Sequence, residues 1–117
     1  MNSSAGYLVR HVEDAPVVPC LCGESVRPLT FPDVKTCSLH IPLITDSARH
    51  YHRIMTEVYY VLEGSGIMEL NEDRIEVRPG SVIYIEPGTR HKLKSELGVK
   101  TIVFSVPAFL EEDEYLD

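Results

Sequence analysis

The feature that most restricts this chain is a succession of short runs rich in Val, Ile, Thr and Tyr, cut at close intervals by Gly, Pro, Asn and Asp. Cys37, Leu39, Ile41 and Leu43 alternate with Ser38 and His40, the period of a strand with one buried face. Further runs lie at residues 57–62, 67–70, 75–77, 82–85, 91–93 and 99–106. Gly64-Ser65-Gly66 predicts a tight hairpin turn, and Asn71-Glu72-Asp73, Pro79-Gly80 and Pro87-Gly88 mark other turns. No segment carries a sustained helical stripe of apolar residues, apart from a final turn around residues 109–115. Strands this short and this regularly spaced predict an all-β fold, an antiparallel sandwich or barrel.

The chain's 117 residues suit one core rather than two. Hydrophobic residues at 44% and charged residues at 25% are ordinary globular proportions and argue against disorder. Residues 1–24 are poorly periodic, carry Pro16, Pro19 and Gly23, and read as an N-terminal arm with at most one short strand near residues 7–12. The barrel is expected over 25–108, followed at 109–117 by an acidic C-terminal tail in which Glu111, Glu112, Asp113, Glu114 and Asp117 read as solvated. Eleven Lys plus Arg against eighteen Asp plus Glu give a net charge of −7, which disfavours a phosphate backbone and so a nucleic-acid partner. No apolar run approaches the roughly 20 residues that cross a bilayer, and the first residues lack the basic and apolar regions of an export signal. The expectation is a cytoplasmic chain with no membrane partner. Cys20, Cys22 and Cys37 are odd in number, and free thiols are expected rather than a disulfide framework.

Five histidines are present, at positions 11, 40, 50, 52 and 91. His50 and His52 are two residues apart, so an extended backbone points both rings to one face. Glu57 lies five residues beyond His52, an odd offset that one uninterrupted strand cannot bring to the same face. A loop over residues 53–56 must intervene, with Glu57 opening the next strand. His91 follows the Pro87-Gly88 turn and can supply a third nitrogen from a distant strand. His11 and His40 stand outside this arrangement and read as structural or surface residues. Within the run 57–62, Tyr59 and Val61 share a face with Glu57, while Val58, Tyr60 and Leu62 take the other.

The run His50-Tyr51-His52, then Glu57 and Gly64, resembles the first motif of the cupin superfamily. Gly80, followed by Pro87-Gly88-Thr89-Arg90-His91, resembles its second, and the segment from Val103 to Phe109 is similar to the close of small one-domain cupins. The resemblance implies an antiparallel double-stranded β-helix, a jelly-roll barrel. It also implies a divalent metal bound inside by His50, His52, Glu57 and His91. Three positions depart from the family pattern, at Ile44, Glu86 and Ser95, and none is a ligand position. Three imidazoles and one carboxylate suit one divalent transition ion per chain, Mn, Fe, Ni, Co, Cu or Zn, and the lack of thiolate ligands argues against a structural zinc site. An octahedral ion held by four protein groups keeps two positions for small molecules.

For function, the resemblance implies a metal-dependent enzyme, dioxygenase- or isomerase-like, acting on a small oxygenated molecule through Lewis-acid chemistry. A non-catalytic small-molecule binding or sensing module is the alternative, and a titratable group near the open metal positions would separate the two. A barrel that has lost its metal is disfavoured by the intact ligand positions. Glu57 would double as a proton acceptor if it detaches from the ion, and Tyr59 is either a hydrogen-bond donor to the substrate or a core aromatic. Glu86, Arg49 and Arg90 are the other polar residues beside the motifs, although the two arginines adjoin ligand positions and so point the opposite way. The outward Val58, Tyr60 and Leu62 would leave a sticky sheet face on a monomer. Small cupins commonly dimerise, so a homodimer with sheet-to-sheet contact is expected, its N-terminal arms free to cross over.

Overall fold

The computed structural model describes residues 6–21 and 23–117. Among them ten strands form one curled antiparallel sheet: β1 (Val17–Cys20), β2 (Gly23–Leu29), β3 (Ser38–Asp46), β4 (His50–Tyr51), β5 (Thr56–Glu63), β6 (Gly66–Leu70), β7 (Asp73–Val77), β8 (Val82–Ile85), β9 (His91–Val106) and β10 (Tyr115–Leu116). The only helical pieces among the described residues are single 3-10 turns at Val12–Asp14 and Glu111–Asp113.

β9 organises the sheet. Its sixteen residues join the two runs that the sequence separates at 91–93 and 99–106. The first part lies between β6 (Met68 opposite Leu93) and β4 (His50 opposite His91). The later part lies between β5 (Tyr59 opposite Val103) and β3 (Ile44 opposite Val99). Gly98, at φ +99°, provides the turn between the two parts without a Cβ penalty. One layer therefore runs β8-β5-β9-β3-β2-β1 and the other β7-β6-β9-β4-β10. They curl around a shared core of Ile44, Tyr59, Val61, Met68, Val77, Ile85, Leu93, Val99 and Val103. The period-two reading holds in β5, where Glu57, Tyr59 and Val61 are buried while Tyr60 and Leu62 face out. In β3 the period holds but the face is reversed: Ser38, His40, Pro42 and Ile44 point inward and Leu43 is exposed, because the inner side of this strand lines the cavity.

Four local expectations are corrected. Residues 7–12 form no strand; a turn closes there instead, with Asp14 N–H donating to the His11 carbonyl. The strand of the arm is β1, and it forms a hairpin with β2 that crosses the expected boundary at residue 24; Pro19 is tolerated because β1 is an edge strand paired only with β2. Gly64-Ser65-Gly66 is no hairpin: β5 and β6 do not pair, and the segment is a corner where the chain passes between layers. Gly64 has φ +83°, and a Cβ there would run into the Gly98 carbonyl, so both the angle and the close approach demand glycine. Finally, Cys37 is a free thiol but Cys20 is disulfide-bonded, since an odd total excludes a complete framework and not a single bridge; Cys22 lies outside the described residues.

Candidate metal centre

His50 lies on β4, His52 just beyond it, Glu57 is the second residue of β5 and His91 the first of β9. The loop between His52 and β5 resets the side-chain parity, as the odd spacing requires, and aims Glu57 back at the histidines. All four side chains are buried, and one ligand atom from each lies within 4.8 Å of every other.

Main-chain carbonyls orient the three rings. His50 Nδ1 is 2.7 Å from the Ala48 carbonyl, His52 Nδ1 2.8 Å from that of Asp113, and His91 Nδ1 2.9 Å from that of Thr89. A carbonyl can only accept, so each Nδ1 carries a proton, and it is the neutral form of each ring that presents a bare Nε2. His52 Nε2 and His91 Nε2 both lie 3.2 Å from Glu57 Oε1, yet all three atoms are buried without a hydrogen-bond partner. Lone pairs therefore face lone pairs at close range, a costly arrangement unless a cation sits among them. Tautomer, burial and donor type all fit a divalent transition ion. His50, His52, Glu57 and His91 could hold one.

The charges are set by the same packing. Burial holds the His50 imidazole down to about 4, and the neighbouring His91 adds to the effect. Burial also opposes charge on His52, but the Glu57 carboxylate beside it outweighs that and raises its pKa. Burial alone would raise the Glu57 carboxyl, whereas the His52 and His91 imidazoles hold it well below the usual carboxylate range. Tyr59, also buried, is pushed well above its ordinary value by burial and then by Glu57, so its phenol keeps its proton. Its ring stands edge-on to His91 with centroids 6.2 Å apart.

The cavity beside the cluster is lined by Ser25 and Arg27 of β2, His40 and Ile44 of β3, Tyr59, Phe109 and Glu114, among others. Tyr59 belongs to the core and to the cavity wall at once. The polar residues picked out beside the motifs lie elsewhere. Glu86 is exposed; Arg49 pairs with Glu69 and Asp117; Arg90 stacks over Tyr51 and reaches Asp117. His11 is exposed, whereas His40 is a buried wall residue held at about 4 by burial, with Arg27 contributing.

Sequence reasoning missed the C-terminal contribution. Asp113 is buried rather than solvated: its carboxylate accepts the backbone N–H groups of Arg53, Ile54 and Met55 at 2.9–3.2 Å while its carbonyl holds His52. Glu114 lines the cavity, where burial raises its pKa. Nothing local marks either residue within a run of acids. Their places follow from β10 pairing with β4, which folds the C-terminus back beside the histidines.

The model of the cupin domain matches residues 40–106, the stretch that carries all four candidate ligands. An uncharacterized protein of Methanocaldococcus jannaschii is 31% identical over 99 residues, covering 78% of this chain and 79% of its own. Among solved structures, a protein from Planctomyces limnophilus superposes with a TM-score of 0.86 at 26% identity, covering 94% of this chain and 96% of that one. Pac13, a Streptomyces nucleoside dehydratase, shares the fold with a TM-score of 0.80 at 18% identity, over 95% of this chain and 91% of that one. The ectoine synthase of P. lautus does so with a TM-score of 0.78 at 20% identity, over 95% and 90%. A matching domain model over more than half the chain, a cupin barrel and the four-ligand cluster inside it agree: this chain belongs to the cupin family.

Proposed function

We propose that the chain is a metal-dependent enzyme acting on a small oxygenated molecule by proton-transfer chemistry, isomerase- or dehydratase-like. A bound divalent ion supplies Lewis-acid polarisation of a substrate oxygen. Tyr59, its proton kept in place, donates a hydrogen bond to the substrate, and Glu57 accepts a proton once it detaches from the ion. The carrying observation is that titratable groups line the same cavity as the ligands: Glu114, whose raised pKa suits proton exchange nearer neutrality, and His40. A module that only binds or senses needs no such groups. Two cupin-fold neighbours that match nearly the whole chain, a nucleoside dehydratase and an ectoine synthase, support a catalytic reading for a barrel this small.

The test is to load the protein in turn with Mn, Fe, Co, Ni, Cu and Zn and follow solvent-deuterium exchange into small keto and hydroxy compounds by NMR, with an oxygen electrode alongside. Exchange without oxygen uptake is expected. Oxygen uptake with diketones, thiols, flavonols or oxalate would favour dioxygenase-like chemistry instead. Ligand binding with neither signal would return the chain to the sensing class.

The expected homodimer draws support from the outer face of β5, β8 and β9. Tyr60, Leu62, Val82, Tyr84, Phe104 and Val106 are all exposed there, and strand pairing makes them neighbours. The cytoplasm remains the proposed compartment; among the described residues no helix is long and apolar enough to cross a membrane.

A further inference from the structure

β2 brings two more orphaned polar groups to the cavity. Ser25 is 2% exposed, and its Oγ has no hydrogen-bond partner. Arg27, two residues on and so on the same face, has a buried Nε that is likewise unpartnered. Both line the cavity that holds His50, His52 and Glu57. The β2–β3 register slips between Val26 and Leu29, a bulge of the kind that re-aims a side chain. The guanidinium stands 5.4 Å from the centre of the Phe109 ring, and among the described residues no carboxylate lies within 4.0 Å of it. Glu111 and Glu114 act on it only through longer-range charge.

A half-buried cation with an unfilled donor, beside a buried hydroxyl with none, is a costly surface to leave bare. An anionic oxygen supplied by a ligand satisfies both groups, and the planar fork of Arg suits a carboxylate. We propose that Ser25 and Arg27 form a carboxylate-binding arm of the cavity. The ligand is then a small organic acid, one oxygen at the metal centre and its carboxylate on β2. This rests on the reading of His50, His52, Glu57 and His91 as a metal site. At the arm itself a carboxylate group brings one negative charge where a phosphate dianion brings two, so Glu57 and Glu114 in the same cavity lining favour the carboxylate.

The test is calorimetric titration of the cobalt-loaded and the metal-stripped protein with malonate, succinate, neutral malonamide and inorganic phosphate, and metal content is measured separately. For the loaded parent, malonate or succinate should bind better than phosphate and far better than neutral malonamide. Arg27→Gln should weaken the acid about 10- to 100-fold at unchanged cobalt content, and Ser25→Ala about 3- to 10-fold. Ser25→Ala removes one atom from a strand and keeps the test open if Arg27→Gln, which loses the Phe109 contact, fails to fold. Normal cobalt content with acid binding indifferent to both substitutions would overturn the arm and leave the metal site standing. No cobalt uptake by the parent, with acid binding still dependent on Arg27, would leave the arm standing and remove the metal site. Tighter binding of phosphate, or no binding of either acid to the loaded parent, would overturn the carboxylate assignment.

Discussion

Replacing Asp113 with Ala tests whether the C-terminal segment is part of the metal centre or a trailing end. The substitution removes two buried carboxylate oxygens and leaves the N–H groups of Arg53, Ile54 and Met55 unpartnered in the loop between His52 and Glu57. Met55 is itself 1% exposed, so water cannot readily replace the lost acceptor at that position. Orphaning such donors costs about 1–3 kcal/mol each, and because the three share one acceptor the combined loss is about 3–5 kcal/mol. With an unfolding entropy of about 2.1 cal/mol/K per residue, that lowers the midpoint of a 117-residue domain by roughly 12–20 °C. The Asp113 carbonyl also fixes His52, so a loosened segment should weaken metal binding about 10-fold or more. Asp113→Asn, which keeps one acceptor oxygen, should fall between. Calorimetric melting of metal-free protein and competitive metal titration measure the two effects. A midpoint for Asp113→Ala within about 2 °C of the parent, with unchanged metal affinity, would refute the latch.

Other outcomes follow from the same structure. Elemental analysis should find up to one transition ion per chain in the parent and little in His52→Ala; equal content would remove the ligand assignment. His40 titrates near 6.5 when unfolded but at about 4 when folded, so the unfolded chain takes up the proton first on acidification. Its contribution, up to roughly 2–3 kcal/mol, is therefore fully present above about pH 6.5 and is lost as pH falls through about 4. Urea denaturation of metal-free protein at pH 7 and pH 4.5 should show a shallower pH dependence for His40→Gln than for the parent. Gly64→Ala should cost at least about 2 kcal/mol, because the new methyl meets main chain, and Gly88→Ala only about 1 kcal/mol, because nothing lies within 4 Å there. Similar midpoints for the two would contradict that reading. Light scattering should return a dimer for the parent and a monomer for Tyr84→Glu; a monomeric parent would count against the sheet-to-sheet contact.

The candidate metal centre was legible because both motifs that carry the family resemblance are intact and compact. Two histidines at strand spacing and a carboxylate after a parity-resetting loop are visible in residues 50–57, and the second turn motif brings in His91. The turns at 71–73, 79–80 and 87–88 were equally plain, since Asn71, Gly80 and Gly88 all adopt the positive φ that such residues favour. What stayed hidden depends on which strands pair. Gly64 looks like a hairpin residue until β5 and β6 prove not to be neighbours. Strands of two residues such as β4 and β10 exist only through their partners. Ser25 and Arg27 sit in a stretch whose prolines and Gly23 mask its period, and they reach the cavity only because β2 joins the edge of β3.

The Nδ1 atoms of His50, His52 and His91 are all held by peptide oxygens. Amino-acid replacement cannot delete such a support without moving the backbone. Other parts of the cavity lining, among them Arg27, His40 and Glu114, are side chains that substitution can change. The chemistry of the cavity lining can thus be rewritten residue by residue while the backbone that sets the three imidazoles keeps its shape, so the candidate centre and the pocket around it are free to change independently.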